Sequence, residues 1–244
     1  MDNHSVSWGD RPIGDLVCRV LVDFDGTIAA VDTTDALLER FADPKWHDVE
    51  DDWKAGRIGS RECMLRQIDL VRATPAEMDA FVAELQIDQA FPAFVALCRS
   101  RGLGIAVVSD GLDRTVGAVL QRHGLDLPYF ANRLDYAGDN RWRLGFPYSR
   151  GDCRTLAGNC KCGLAEAPPG TIRIVVGDGR SDFCVAEQAE LVLAKDTLQR
   201  HATNSGLAHI PIRSFADATP LLSAWLDEHA AQAVANDQNE LRDE

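Results

Sequence analysis

Val20-Leu-Val-Asp-Phe-Asp-Gly-Thr-Ile28 is the stretch on which the reading of the fold turns. After Arg19, an apolar and mostly β-branched run precedes two carboxylates one residue apart, a glycine and a threonine. Such a pattern reads as a buried strand that empties into a tight polar loop. Asp23 and Asp25 then project from the carboxyl end of a strand, which in an open α/β sheet is where ligands sit. Two carboxylates on one short loop repel each other unless a cation neutralises them. Mg²⁺ suits the place, because it takes one or two carboxylates together with waters and phosphate oxygens. Taken alone, Asp23 to Thr27 reads equally as a turn with Asp and Gly in their usual positions.

Outward from this stretch, the second half of the chain repeats the arrangement. Thr171-Ile-Arg-Ile-Val-Val176 is another strand-like run, and it ends in the acidic, glycine-containing loop Gly177-Asp-Gly-Arg-Ser-Asp182. Between the two, Leu103-Gly-Ile-Ala-Val-Val108 leads into Ser109-Asp-Gly111. Strands and helices in alternation predict an α/β fold, a doubly wound parallel sheet with right-handed crossovers. In chain order, Asp23-Phe-Asp-Gly-Thr27, Ser109, Lys161 and Gly177-Asp-Gly-Arg-Ser-Asp182 resemble the four motifs of the haloacid dehalogenase-like superfamily of phosphohydrolases. The resemblance covers most of the chain, from Val17 to Phe215.

The resemblance implies a Mg²⁺-dependent phosphatase that works through an aspartyl-phosphate. Asp23 is the expected nucleophile, and a carboxylate in that role divides one difficult displacement into two easier ones. Asp25 is expected to protonate the leaving oxygen and then deprotonate the attacking water, which requires a raised pKa. Ser109, Gly111, Lys161 and Thr27 are the expected partners of the phosphoryl oxygens. Asp178 is expected to complete the Mg²⁺ shell with Asp23 and the main-chain carbonyl of Asp25, while Asp182 stands behind and holds a water ligand or Lys161. Asp25 favours a phosphatase within the superfamily, since a dehalogenase has no oxygen leaving group to protonate. Taken singly, Ser109 reads as a turn cap, Asp182 as helix N-terminal charge and Lys161 as a surface charge, with Arg150 and Arg154 as rivals for its role.

From Thr33 to about Gln89 the pattern is helical. Ala36, Leu37, Leu38 and Phe41 give one amphipathic helix, and Pro44 opens another that carries Trp46, Val49 and Trp53. Ser60 is the expected N-cap of a third, and Thr74-Pro-Ala-Glu77 is a capping box for a fourth. Four helices inserted between two strands make a cap, and the two tryptophans read as its core. The domain reading is therefore a polar leader over 1–15, a core over 16–31 and 91–227, a helical cap over 32–90 and an acidic tail over 228–244. Tyr129 to Phe146 reads as a hairpin, and Thr219-Pro220 as the start of a final helix that runs to about Ala235. The cap resembles that of the phosphoserine-phosphatase-like branch. Within the branch, Arg57 to Gln67 and Gly177 to Ala186 are most similar to the phosphatases of methylthioribose salvage, which act on a phosphorylated diketo sugar derivative. The alternative is a phosphoserine phosphatase, with Asp32 and Arg66 placed to grip the amino and carboxylate groups; a catalytically inactive binding protein of the same fold is the third reading.

The chain has 25 basic and 38 acidic residues, a net charge of -13. That balance argues against nucleic acid and anionic membrane as partners and leaves a small phosphorylated metabolite. No apolar run approaches the ~20 residues of a membrane-spanning helix, and Met1-Asp-Asn-His-Ser lacks the pattern of a signal peptide, so a cytoplasmic protein is expected. The cysteines lack the spacing of a disulfide framework, and Cys153, Cys160 and Cys162 lack the paired spacing of a zinc site. Reduced thiols are the expectation.

Overall fold

The computed structural model describes residues 17–240, so the expected leader over 1–15 and the last residues of the expected tail, 241–244, lie outside the described residues. Strand β1 (Cys18–Val22) is followed by the acidic loop and four cap helices, α1 (Thr33–Phe41), α2 (Trp46–Lys54), α3 (Ser60–Asp69) and α4 (Pro75–Glu84). The core resumes with α5 (Phe91–Ser100), β2 (Gly104–Leu112), α6 (Asp113–Arg122) and the hairpin β3 (Tyr129–Gly138) and β4 (Arg141–Gly145). A short α7 (Lys161–Leu164), β5 (Ile172–Gly177), a short α8 (Phe183–Ala186), β6 (Leu191–Ala194), α9 (Asp196–Ser205), β7 (His209–Pro211) and α10 (Phe215–Glu240) complete it.

The seven strands form one sheet in the order β4-β3-β2-β1-β5-β6-β7, parallel except for β4, which pairs antiparallel with β3. β1 is central because its residues are apolar on both faces, as a strand covered by helices on each side must be. Val20 and Val22 join Ile105, Val107, Ile174 and Val176 on one face, beneath Phe91, Phe94, Phe215 and Leu222 of α5 and α10. Leu21, Ala106, Val108 and Val175 occupy the other face with Ala165 and Val185. Register then places the chemistry: Val22 lies opposite Val107 and Val176, so Asp23, Ser109 and Asp178 all emerge at one edge of the sheet.

The cap does not form a core of its own. Leu37, Leu38, Ile68, Met78 and Phe81 belong to the same apolar cluster as Val20 and Phe94. The hairpin reaches across to it, with the Trp142 indole donating to the Ala73 carbonyl (2.9 Å) and the Ala73 amide to the Asn140 carbonyl (3.0 Å). The Thr74 capping box forms as the sequence predicts.

Local departures have physical causes. Ser60 does not cap α3: Gly59 takes the cap position, and the Ser60 hydroxyl donates instead to Asp110 Oδ2 (2.7 Å). Strand β2 continues through Ser109 and Gly111 to Leu112, with a register irregularity where the expected loop would begin. Helix α10 starts at Phe215, ahead of Thr219-Pro220, because the Ser214 carbonyl already accepts from the amides of Asp217 and Ala218. It runs to Glu240, into the stretch read as tail, where Ala-rich sequence favours helix.

Candidate active site

At the end of β1 the Asp23 amide still donates to the Val176 carbonyl (2.9 Å), after which the chain turns through Gly26 at φ 71°. Glycine serves two ends there: the left-handed conformation, and the approach of Asp178, whose Oδ2 would lie 2.5 Å from a Cβ. Asp23 is buried, and its Oδ1 accepts from the Phe24 amide (2.8 Å) and from Lys161 Nζ (2.7 Å). Lys161, also buried, meets Asp182 Oδ1 at 2.6 Å and Ser181 Oγ at 3.1 Å. Burial pushes the Asp23 carboxyl well up, the Asp182 charge adds to the shift, and Lys161 opposes it. Burial works against the charge on Lys161, yet Asp182 and Asp23 together hold its ammonium above the usual range.

Asp25 is half-buried next to this pair. Its Oδ1 accepts from the Thr33 amide (2.8 Å) and hydroxyl (2.5 Å), while Oδ2 faces the buried Ser109 hydroxyl at 3.4 Å, a long and weak contact. Burial and the neighbouring Asp32 raise its carboxyl to about 6, against the two Thr33 hydrogen bonds. The Gly111 amide donates to Ser109 Oγ (2.9 Å), and a Cβ on Gly111 would collide with Asp25 Oδ2. Thr27 differs from expectation: its buried hydroxyl donates to Asp178 Oδ1 (2.9 Å) and so orients a carboxylate rather than facing a phosphate.

Carboxylate oxygens of Asp23, Asp178 and Asp182 lie within 4.8 Å of one another. Burial and the Asp182 charge raise the Asp178 carboxyl as well. Three acids around one buried ammonium leave an excess of negative charge on hard oxygen donors, which is the chemistry a hard divalent cation fits. Asp182 is the least available of the three, since it is almost wholly buried and held by Lys161. A second lysine, which the sequence reading passed over, braces the same loop: Lys195 Nζ donates to the Gly26 carbonyl (2.6 Å).

Asp110 and Asn159 were also not legible as site residues. Asp110 accepts from Ser60 of the cap and from the Asn159 amide (2.9 Å), and the Asn159 side chain donates to the Ser109 carbonyl (2.7 Å). Together they fix the loop before Lys161 against β2. Their place beside Ser109 and Lys161 was the only signal, and short polar residues in loops carry little by themselves. The expectation of seven free thiols is corrected at one pair: Cys162 and Cys184 are joined, with Cα atoms 6.3 Å apart, because α7 packs beside α8 just behind Lys161 and Asp182. Cys153 and Cys160 remain free, and among the described residues no cysteine belongs to a metal-binding group.

Above the sheet edge lies a cavity of about 460 Å³, floored by Asp23, Asp25 and Asp178 and walled on the cap side by Asp32, Asp35, Glu50, Trp53, Met64 and Gln67. Asp32 is present as expected, although its carboxylate also caps α1 through the amides of Thr34 (3.0 Å) and Asp35 (2.9 Å). Trp46 packs in the apolar core, whereas Trp53 faces the cavity, so the two tryptophans part company. Arg66 is corrected: it does not line the cavity but pairs with Glu62 one turn before it and lies 3.8 Å from Asp52, half exposed. The helical phase of α3 sends Cys63, Met64 and Gln67 inward and leaves Arg66 outside.

The family described as haloacid dehalogenase-like hydrolase matches residues 20–187. A 2-hydroxy-3-keto-5-methylthiopentenyl-1-phosphate phosphatase from Geobacillus kaustophilus (strain HTA426) is 33% identical over 207 residues, covering 82% of this chain and 93% of its own. An enzyme of the same name from Geobacillus thermodenitrificans (strain NG80-2) is 30% identical, covering 80% and 90%. Among solved structures, a phospho-aspartyl intermediate analogue of phosphoserine phosphatase superposes with a TM-score of 0.62 at 22% identity, covering 82% of this chain and 95% of that one. A probable phosphoserine phosphatase from Vibrio cholerae gives 0.66 at 17% identity, covering 91% and 69%. These structural likenesses show the fold.

Proposed function

The chain belongs to the haloacid dehalogenase-like hydrolases, and from that premise we propose that it is a phosphatase for 2-hydroxy-3-keto-5-methylthiopentenyl-1-phosphate. The observation that carries the reading is the set of groups gathered at one sheet edge: a buried carboxylate against a buried lysine, with a second carboxyl raised to about 6 beside it. The Asp23 carboxylate attacks phosphorus as the bond to the leaving oxygen breaks, and Asp25 gives that oxygen its proton. Asp25 then takes a proton from water; the water oxygen bonds to phosphorus, the Asp23–phosphorus bond breaks, and phosphate leaves. Lys161, Ser109 and Gly111 hold the phosphoryl oxygens in line. Asp182 positions Lys161, and Thr27 and Lys195 position the acidic loop.

The donor set suits Mg²⁺, held by the carboxylates of Asp23 and Asp178 and the Asp25 main-chain carbonyl, and the ion supplies positive charge for the phosphoryl oxygens. For the substrate, Ile58, Met64 and Trp53 give the cavity an apolar portion that suits a thioether tail. The phosphoserine reading has lost the arginine it called for, because Arg66 lies outside.

Phosphate release by the purified protein tests the proposal. With Mg²⁺ the enol phosphate is expected to be hydrolysed faster than phosphoserine, and EDTA to remove the activity until Mg²⁺ is restored. Undiminished activity in EDTA, or a preference for phosphoserine, overturns it.

A further inference from the structure

The floor of the cavity accounts for the phosphoryl group and its apolar portion for a thioether tail, but no donor so far accounts for the oxygens between them. Among the described residues, Arg180 is the one basic residue in the cavity lining. It sits in the acidic loop after β5, on a short turn that ends at Asp182. Among the described residues its guanidinium makes no hydrogen bond or ion pair, although most other arginines there, such as Arg150, Arg154 and Arg173, are paired. It lies instead over the Trp53 ring of α2, 5.5 Å from the ring centre, and so bridges core and cap within the cavity lining. A guanidinium held on an aromatic face keeps its in-plane N–H donors free.

The same cavity is lined on the cap side by Asp32, Asp35 and Glu50. Three acids make the distal region unfavourable for a carboxylate, while they accept readily from hydroxyl groups. One unspent guanidinium in the same lining is a donor for a neutral acceptor such as a keto or enol oxygen. Resting on the phosphatase reading above, we propose that Arg180 is the residue that determines specificity. In this reading it stands on Trp53 and donates to a distal carbonyl or hydroxyl oxygen, and the acids of the cap wall turn away carboxylate-bearing phosphomonoesters.

The experiment compares kcat/KM for the enol phosphate with that for phenyl phosphate, which has no distal oxygen, and adds phosphoserine as a third substrate. Arg180→Met keeps the stem over Trp53 and removes the donors. It is expected to lower the ratio of enol phosphate to phenyl phosphate at least tenfold, mainly through KM, and Arg180→Lys to lower it less. A ratio that does not move overturns the inference, whether both activities fall together or neither falls. Melting curves of the variants separate a folding defect from a lost contact. Failure of the wild-type protein to hydrolyse any of the three would instead overturn the phosphatase reading.

Discussion

At the sheet edge each of the groups assigned to phosphoryl transfer is held in place: Lys161 lies 2.7 Å from Asp23 and 2.6 Å from Asp182, and Asp25 is fixed by Thr33. On the cap wall the constraints are looser. Glu50 shares one oxygen with Gln67 (3.0 Å) and lies 3.4 Å from the exposed Lys54, and Asp35 has no side-chain hydrogen bond or ion pair among the described residues. Phosphoryl transfer needs charges fixed in place before the substrate arrives, because reorganisation would have to be supplied during the reaction. Recognition of the distal half needs only a differential in affinity and tolerates groups that adjust. A variant is therefore read by what it touches: changes to the held groups at the sheet edge act on every substrate, whereas changes to the cap wall, or to Arg180 where it stands on Trp53, act on the ratio between substrates.

The largest effects test the sheet edge from within. Asp23→Asn removes the nucleophile, and its loss of turnover is expected to exceed the ~10²–10⁴-fold that general acid–base catalysis contributes, on any phosphomonoester. Asp25→Asn is expected to fall within that span on an alkyl phosphate and to cost less on an aryl phosphate with an activated leaving group, which needs less protonation. Equal losses on both substrates would remove Asp25 from the acid's role. An Asp23→Asn protein that stays active on phenyl phosphate would undo the contrast between sheet edge and cap wall.

What was legible in the sequence divides along the same line. The strands before Asp23, Ser109 and Asp178 were readable because strands buried on both faces leave continuous apolar runs, and because the acidic loops carry unusual residues at fixed order. Lys161 was reached by that order too, although only the packing of α7 against α8 puts it between Asp23 and Asp182. Thr27 was misassigned because its neighbour in space, Asp178, is 151 residues away in the chain. On the cap side, helical periodicity reported that the helices exist but not which turn faces the cavity. Arg66 was misplaced for that reason, since it lies a single position from the inward-facing Gln67, whereas Arg180 went unnoticed as a charged residue in a core loop, where many charges are merely solvated.

A mid-sized effect tests the cost of building the sheet edge. The Asp25 carboxyl is raised from 3.8 to about 6, chiefly by burial and then by Asp32, so between those values the folded protein holds a proton that the unfolded chain has released. More protons bound when folded means that stability falls as pH rises through this window. Asp25→Asn keeps an oxygen for the Thr33 donors and removes the buried charge. In EDTA at pH 7.5 it is expected to melt above the wild type, by roughly 2–4 °C for each kcal/mol recovered, and to lose that advantage as pH falls toward 4. A variant that melts lower at pH 7.5, or whose advantage does not change with pH, would show that the carboxylate is not under this burden.

The smallest effect is expected at Arg66, and it is the sharpest test of where the cap wall ends. Its guanidinium pairs with Glu62 at the i, i+4 spacing and lies 3.8 Å from Asp52, on the outer face of α3. Both partners are partly or largely exposed, so solvent and side-chain entropy offset most of the attraction, and such helix pairs contribute only ~0.2–0.5 kcal/mol. Arg66→Ala is therefore expected to shift the melting temperature by about 1–2 °C or less, given ~2–4 °C per kcal/mol at this size. Its kcat/KM on the enol phosphate, phenyl phosphate and phosphoserine should remain within about twofold of wild type, well short of the tenfold that 1.4 kcal/mol would produce. Measured beside Arg180→Met, the variant decides between two geometries of the same cap. If Arg66→Ala changed the ratio between substrates and Arg180→Met did not, α3 would have to rotate inward when substrate binds, and the cap wall would be a moving surface rather than the one seen here.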